Sequence, residues 1–214
     1  MTLFPYAVAA GPLLETANLQ PGETIIIGPA SGTYSGAAVE IALALGANVV
    51  ALGRSEEKLA KMRVALGHSK RFQTVVMTGE TSTDIAALQR VVPHGADVHS
   101  NWSPTGTKET LYLARVAAVL KQNARVILSG QAETVGSLSP GLLVLKNISV
   151  AGKFMYSRST VGRLLDMISL GLLDIGERSG AVVRSYEMER FDKALKETRE
   201  YAAWRHFTIV TPSA

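Results

Sequence analysis

The sequence contains no cysteine. That excludes disulfides, a thiol nucleophile and any thiolate-bound zinc within this chain. Histidine is scarce as well: His68, His94, His99 and His206 are scattered, at no metal-ligand spacing. Aromatic residues are only 6% of the chain, and its Lys and Arg are dispersed, without the basic, aromatic-rich pattern of a nucleic-acid reader. No apolar run reaches membrane-spanning length, and no signal peptide is visible. These absences predict a soluble, cytoplasmic protein with neither nucleic acid nor membrane as partner. The formal net charge of +4 reads either as a solvated surface or as attraction for an anionic small molecule.

What is present is apolar and patterned. Hydrophobic residues make up 47% of 214, enough for the core of one domain with an appendage. The stretch Thr24 to Gly46 organises the rest. Thr24 to Ile27 is a β-branched run that reads as a buried strand. A Gly/Ser-rich turn, Gly28 to Gly36, leads into a helix with Ala37, Ala38, Ile41, Ala42 and Leu45 on its apolar side. Gly46 suits the left-handed helix end, and Asn48 to Leu52 completes a strand–helix–strand unit. In that context the glycines predict a dinucleotide cradle. Unpaired N–H groups at the helix start, across Ala30, Ser31, Gly32, Thr33, Tyr34 and Ser35, attract a pyrophosphate. Ala30 and Ser35 stand where the usual fingerprint has glycines. At the end of the second strand, where NAD-specific units carry an acid for the ribose hydroxyls, this chain has Gly53 and then Arg54, with Lys58 nearby. That exchange favours the 2′-phosphate of NADP over NAD.

The chain then alternates. Ser55 starts a helix; Thr74 to Met77 is a third strand, Ser82 to Val91 a helix and Asp97 to Ser100 a fourth strand. Asn101, Trp102 and Ser103 follow at its carboxyl end, the edge where such sheets bind ligands. A long helix is predicted from Lys108 to Leu120, a fifth strand over Ala124 to Leu128 closed by Ser129 and Gly130, and a sixth over Ile148 to Phe154. Met1 to Leu19 reads as helix-prone after Pro12. Thr160 to Leu170 reads as helix, Val182 to Tyr186 as strand, Met188 to Tyr201 as amphipathic helix and Phe207 to Val210 as a last strand. This is the α/β class: a doubly wound parallel sheet, a Rossmann fold of order 3-2-1-4-5-6, with short terminal extensions. No residue declares itself catalytic. Tyr34 offers a phenol in the phosphate turn, and His99 reads as a strand residue rather than a base.

The ordered motifs resemble one family. Gln20-Pro-Gly-Glu-Thr-Ile-Ile-Ile, Pro29 to Val39, Leu45 to Arg54, Asn147 to Met155 and the closing Tyr186 to Ala194 followed by a strand are similar to the cofactor-binding half of the medium-chain dehydrogenases/reductases, the zinc alcohol dehydrogenase and quinone reductase group. The resemblance implies hydride transfer between a nicotinamide and a small carbonyl or enone. It implies nicotinamide contacts from Ser129, Gly130, Phe154 and Met155, and a homodimer through the edge of the sixth strand. It implies residues 1–180 as the cofactor domain with its lead-in and 181–214 as a strand–helix–strand remnant of the catalytic domain. Family members begin with a GroES-like catalytic domain, and here Met1 falls just before the cofactor half, so a truncated or repurposed module without zinc is expected. Two other readings stay open: a cofactor-binding pseudoenzyme, and a non-redox enzyme using the vacant cleft. Short-chain dehydrogenases fit less well, since Tyr112, Tyr156, Tyr186 and Tyr201 lack a lysine four residues on, and no Gly-Lys-Ser/Thr of a phosphate-binding P-loop follows Gly32 or Gly36.

Overall fold

Strand β1 (Thr24–Gly28) sets the layering, because its side chains alternate between the faces of the sheet. Ile25 and Ile27 pack into one core cluster and Ile26 into another. The computed structural model describes residues 2–67, 69–136 and 138–212. His68, one of the four scattered histidines, lies outside them.

Six strands form a parallel sheet in the order β3-β2-β1-β4-β5-β6, as the motif order predicts. They are β1, β2 (Asn48–Gly53), β3 (Phe72–Val76), β4 (Ala96–Asn101), β5 (Leu120–Leu128) and β6 (Ser149–Gly152). On the first face lie α1 (Leu3–Ala10), α2 (Thr33–Ala44), α3 (Glu56–Leu66) and α7 (Arg158–Ser169). On the second lie α4 (Thr81–Val91), α5 (Leu113–Ala117) and α6 (Pro140–Lys146). A second, two-stranded sheet pairs β7 (Val182–Glu187) in parallel with β8 (His206–Thr211), joined by α8 (Phe191–Glu200). Gly46 takes φ +91° just beyond α2, as expected of a left-handed helix end. Ser55 caps α3, its hydroxyl accepting from the Lys58 N–H.

Four expectations need correction. Helix does not wait for Pro12: α1 begins at Leu3 and runs on through a π-helical segment, Gly11–Thr16, in which the Ala17 N–H reaches back to the Pro12 carbonyl. The widened turn accommodates the proline, which has no N–H to give a regular ladder. The long helix over Lys108 to Leu120 is reduced to Leu113–Ala117. Side-chain hydrogen bonds win there. Asn101 Nδ2 donates to the Leu111 carbonyl at 2.9 Å and Ser103 Oγ accepts from the Leu111 N–H at 2.7 Å, fixing the segment as a loop. Tyr112 then enters α5 with φ +67°, a left-handed conformation no helix interior holds. Strand β5 correspondingly begins at Leu120 rather than Ala124, through an irregularity in its pairing with β4, and β6 ends at Gly152, before Phe154.

Candidate functional site

The carboxyl ends of β4, β5 and β6, the start of α2 and the N-terminal helix enclose a cavity of about 760 Å³. That is within the range that holds small molecules and cofactors. Its floor is the turn Gly32, Thr33, Tyr34 and Ser35. Gly32 precedes α2 in an extended conformation, φ −82° and ψ 169°, and offers no side chain to cap the first N–H groups of the helix, which leaves them open. Ser35 is buried and its hydroxyl accepts from the Gly32 N–H at 3.1 Å. The serine that replaces a fingerprint glycine thus braces the turn from within.

Nine predicted cofactor residues line this one cavity: Gly32, Thr33, Tyr34, Ser35, Trp102, Ser129, Gly130, Phe154 and Met155. Six do not. Ala30 is buried, donating its N–H to the Leu52 carbonyl at 2.8 Å. The Ser31 carbonyl accepts from the Trp204 N–H at 3.0 Å. Asn101 is buried, and its amide is committed to Leu111 and Ser103. Gly53 is buried at the end of β2, while Arg54 and Lys58 are exposed beside it. Arg54 sits close enough to Tyr112 for its charge to oppose the burial that pushes that phenol upward. A Cβ at Gly53 would make only ordinary contact with Leu59, at 3.4 Å, so packing does not forbid a side chain there.

Sequence reasoning missed the other walls. Phe4, Val8 and Pro12 face the cavity from the N-terminal helix, and Pro104, Thr105, Gln131 and Lys153 from the loops above the sheet. An apolar helix preceding the first strand carries no local signal that it roofs a cleft. Lys153 donates to Glu15 at 2.6 Å. Burial works to raise the Glu15 pKa, but Lys153, Thr160 and the Ser157 N–H outweigh it and hold the carboxyl down at about 2. His99 is fully buried, and desolvation lowers it to about 4; one ring nitrogen meets the Ile26 carbonyl at 3.0 Å. It is a neutral core residue, as its place in the strand suggests.

The residues fit a dinucleotide on two observations of the chain itself. The open helix start lies on the cavity floor. The Ser129 hydroxyl, on its wall, is buried without a hydrogen-bond partner among the described residues. No group of three or more His, Cys, Asp or Glu among those residues is arranged to hold a metal ion.

The model of the zinc-binding dehydrogenase family matches residues 35–169. The chain belongs to that family. Similar solved structures include an NAD-dependent alcohol dehydrogenase, with 22% identity and a TM-score of 0.73 over 94% of this chain and 55% of that one. The 2-octenoyl-CoA carboxylase reductase CinF, solved with NADP and 2-octenoyl-CoA, has 15% identity and a TM-score of 0.69 over 91% of this chain and 46% of that one. At these identities the likeness is one of fold. A highly reducing polyketide synthase, lcsB, of Purpureocillium lilacinum is 46% identical over 54 residues, 25% of this chain and 2% of that protein. The chain therefore spans about half the length of these two solved proteins and a small part of the synthase.

Proposed function

We propose that this chain binds NADP(H) as the cofactor half of an oxidoreductase that works on a small carbonyl or enone without zinc. The observation that carries the reading is the open start of α2 on the floor of a cavity walled by the carboxyl ends of β4, β5 and β6. When bound there, the nicotinamide would supply or accept the hydride. The chain's own part is to hold and enclose it. The N–H groups at Thr33 and Tyr34 take the pyrophosphate, and the Ser129 hydroxyl and the Trp102 to Thr105 loop bound the space over the sheet. Phe4, Val8, Phe154 and Met155 give it an apolar wall. Residues 1–180 serve as the cofactor domain with its lead-in and 181–214 as the return segment, a strand–helix–strand remnant of the catalytic domain. A thiolate zinc site has no ligand within this chain, which has no cysteine.

The choice of NADP rests on Arg54. Relatives in fold are named for both NAD and NADP. Here a guanidinium stands exposed beside a glycine that leaves no carboxylate to repel a phosphate. NADPH is expected to bind more tightly than NADH by calorimetry, and Arg54→Ala to narrow the gap by roughly 1.5–3 kcal/mol, the worth of a charge-assisted hydrogen bond. Equal affinities in the unmutated protein would reject the assignment. Steady NADPH oxidation with a panel of aldehydes, ketones, quinones and enones tests the reaction. Cofactor binding without turnover would favour the pseudoenzyme reading.

A further inference from the structure

The phosphate turn has a back as well as a front, and the back is held by a residue far along the chain. Trp204 is buried at 9% exposure, in the segment between α8 and β8. Its backbone N–H donates to the Ser31 carbonyl at 3.0 Å, and the neighbouring Ala203 carbonyl accepts from the Thr33 hydroxyl at 3.3 Å. Its ring lies against Gly36 so closely that a Cβ there would overlap it. Arg205 stacks over the same ring, 4.4 Å from the centroid, and donates Nε to Glu40 at 2.8 Å. Glu40 also accepts from the Tyr6 hydroxyl at 2.6 Å. Glu40 lies on α2 and Tyr6 on α1, both buried. Arg205, anchored through Glu40 to Tyr6, thus braces the indole while it presses on the first turn of α2.

We propose that Trp204 is a positioning residue for the pyrophosphate: it fixes Gly32 to Ser35 in the geometry that presents the helix-start N–H groups, so that removing it weakens ligands held by that turn. The inference rests on the cofactor reading above. It goes further in assigning the turn's preorganisation to a residue that never touches the ligand. It also reassigns Gly36, whose missing side chain serves the indole rather than the cofactor.

The test compares Trp204→Ala, Trp204→Phe and Gly36→Ala, each with a thermal melt, on two probes. NADPH engages the turn through its pyrophosphate; adenosine 2′-monophosphate has none. Trp204→Ala is expected to bind NADPH roughly tenfold more weakly by calorimetry while its affinity for adenosine 2′-monophosphate stays within about twofold of the parent. Trp204→Phe should recover most of the loss, since a ring still fills the site. Gly36→Ala should reproduce the NADPH loss in the parent and add nothing in the Trp204→Ala background, the non-additivity of two residues in contact. Should Trp204→Ala fail to fold, Gly36→Ala carries the same prediction. NADPH binding within twofold of the parent in both single variants would overturn the inference, as would an equal loss for the two probes, which signals general loosening.

Hydrogen exchange of the ligand-free protein separates this inference from the one it rests on. If the parent binds neither probe, the cofactor reading fails. Faster exchange at the Gly32 to Ser35 amides in Trp204→Ala then still upholds the positioning role, and unchanged exchange rejects it.

Discussion

Gly32 and Gly36 stand in one glycine-rich run and serve different ends. A Cβ at Gly32 would meet only the Ser35 hydroxyl, at 3.1 Å, and the space in front is the cavity. Gly36 faces away, against Trp204. Gly32→Val is therefore expected to abolish most NADPH binding while far-UV circular dichroism stays native, because the side chain occupies the pyrophosphate's approach. Unchanged affinity would show that the turn is not the cradle. The run was legible in the sequence as a turn into a helix, since glycine and serine spacing is local information. The division of labour within it was not. It depends on a contact with a segment about 170 residues further on, as the Thr33–Ala203 hydrogen bond illustrates.

The same boundary between local and distant information recurs among the elements. Strands β1 and β2 announced themselves because each is a short apolar run flanked by turn residues, whereas β4, with Asp97, His99, Ser100 and Asn101 in it, is legible only from its place in the alternation. The segment around Lys108 to Leu120 misled because its composition suits a helix, while Asn101 at the end of β4 and Ser103 just beyond it take its backbone hydrogen bonds. Glu15 shows an element-scale role that no pattern reveals. From the π-helical segment it accepts from Lys153 beyond β6 and from Ser157 and Thr160 at the start of α7. Its folded pKa is about 2 against an ordinary 4.5, so the carboxylate's contribution is fully present above pH 4.5 and is lost as pH falls through 2. Glu15→Gln is expected to lower the melting temperature at pH 7 and to flatten its decline between those two pH values. A variant whose melting curve runs parallel to the parent's across that window would refute the link.

At the scale of the whole molecule, the main sheet ends at β6, whose outer edge pairs with no strand among the described residues. Lys153 donates back to the Leu128 carbonyl at 3.0 Å, and alternation along the strand turns the Val150 N–H outward. Val150 is 37% exposed, and Val144 and Leu145 on the adjoining helix are each 79% exposed. Such an edge invites another chain. A homodimer with the two β6 edges antiparallel across a two-fold axis is the expected assembly, with Val150→Pro weakening it. Light scattering of the unmutated protein at micromolar concentration checks it, and a monodisperse monomer would be the contrary result.

The Glu40–Arg205 pair links residues 165 positions apart, and that separation has a consequence in time. A ribosome adding roughly 5–20 residues per second takes on the order of ten seconds or more to bring the arginine into being after the glutamate. All six strands of the parallel sheet precede Arg205 in the chain. During synthesis α2 therefore has most of its apolar partners, though not Trp204, before its buried carboxylate has a counter-charge. Burial raises the pKa of Glu40 in the finished protein even with Arg205 beside it. The nascent sheet must keep that side chain hydrated or protonated until the end of the return segment arrives to seal it.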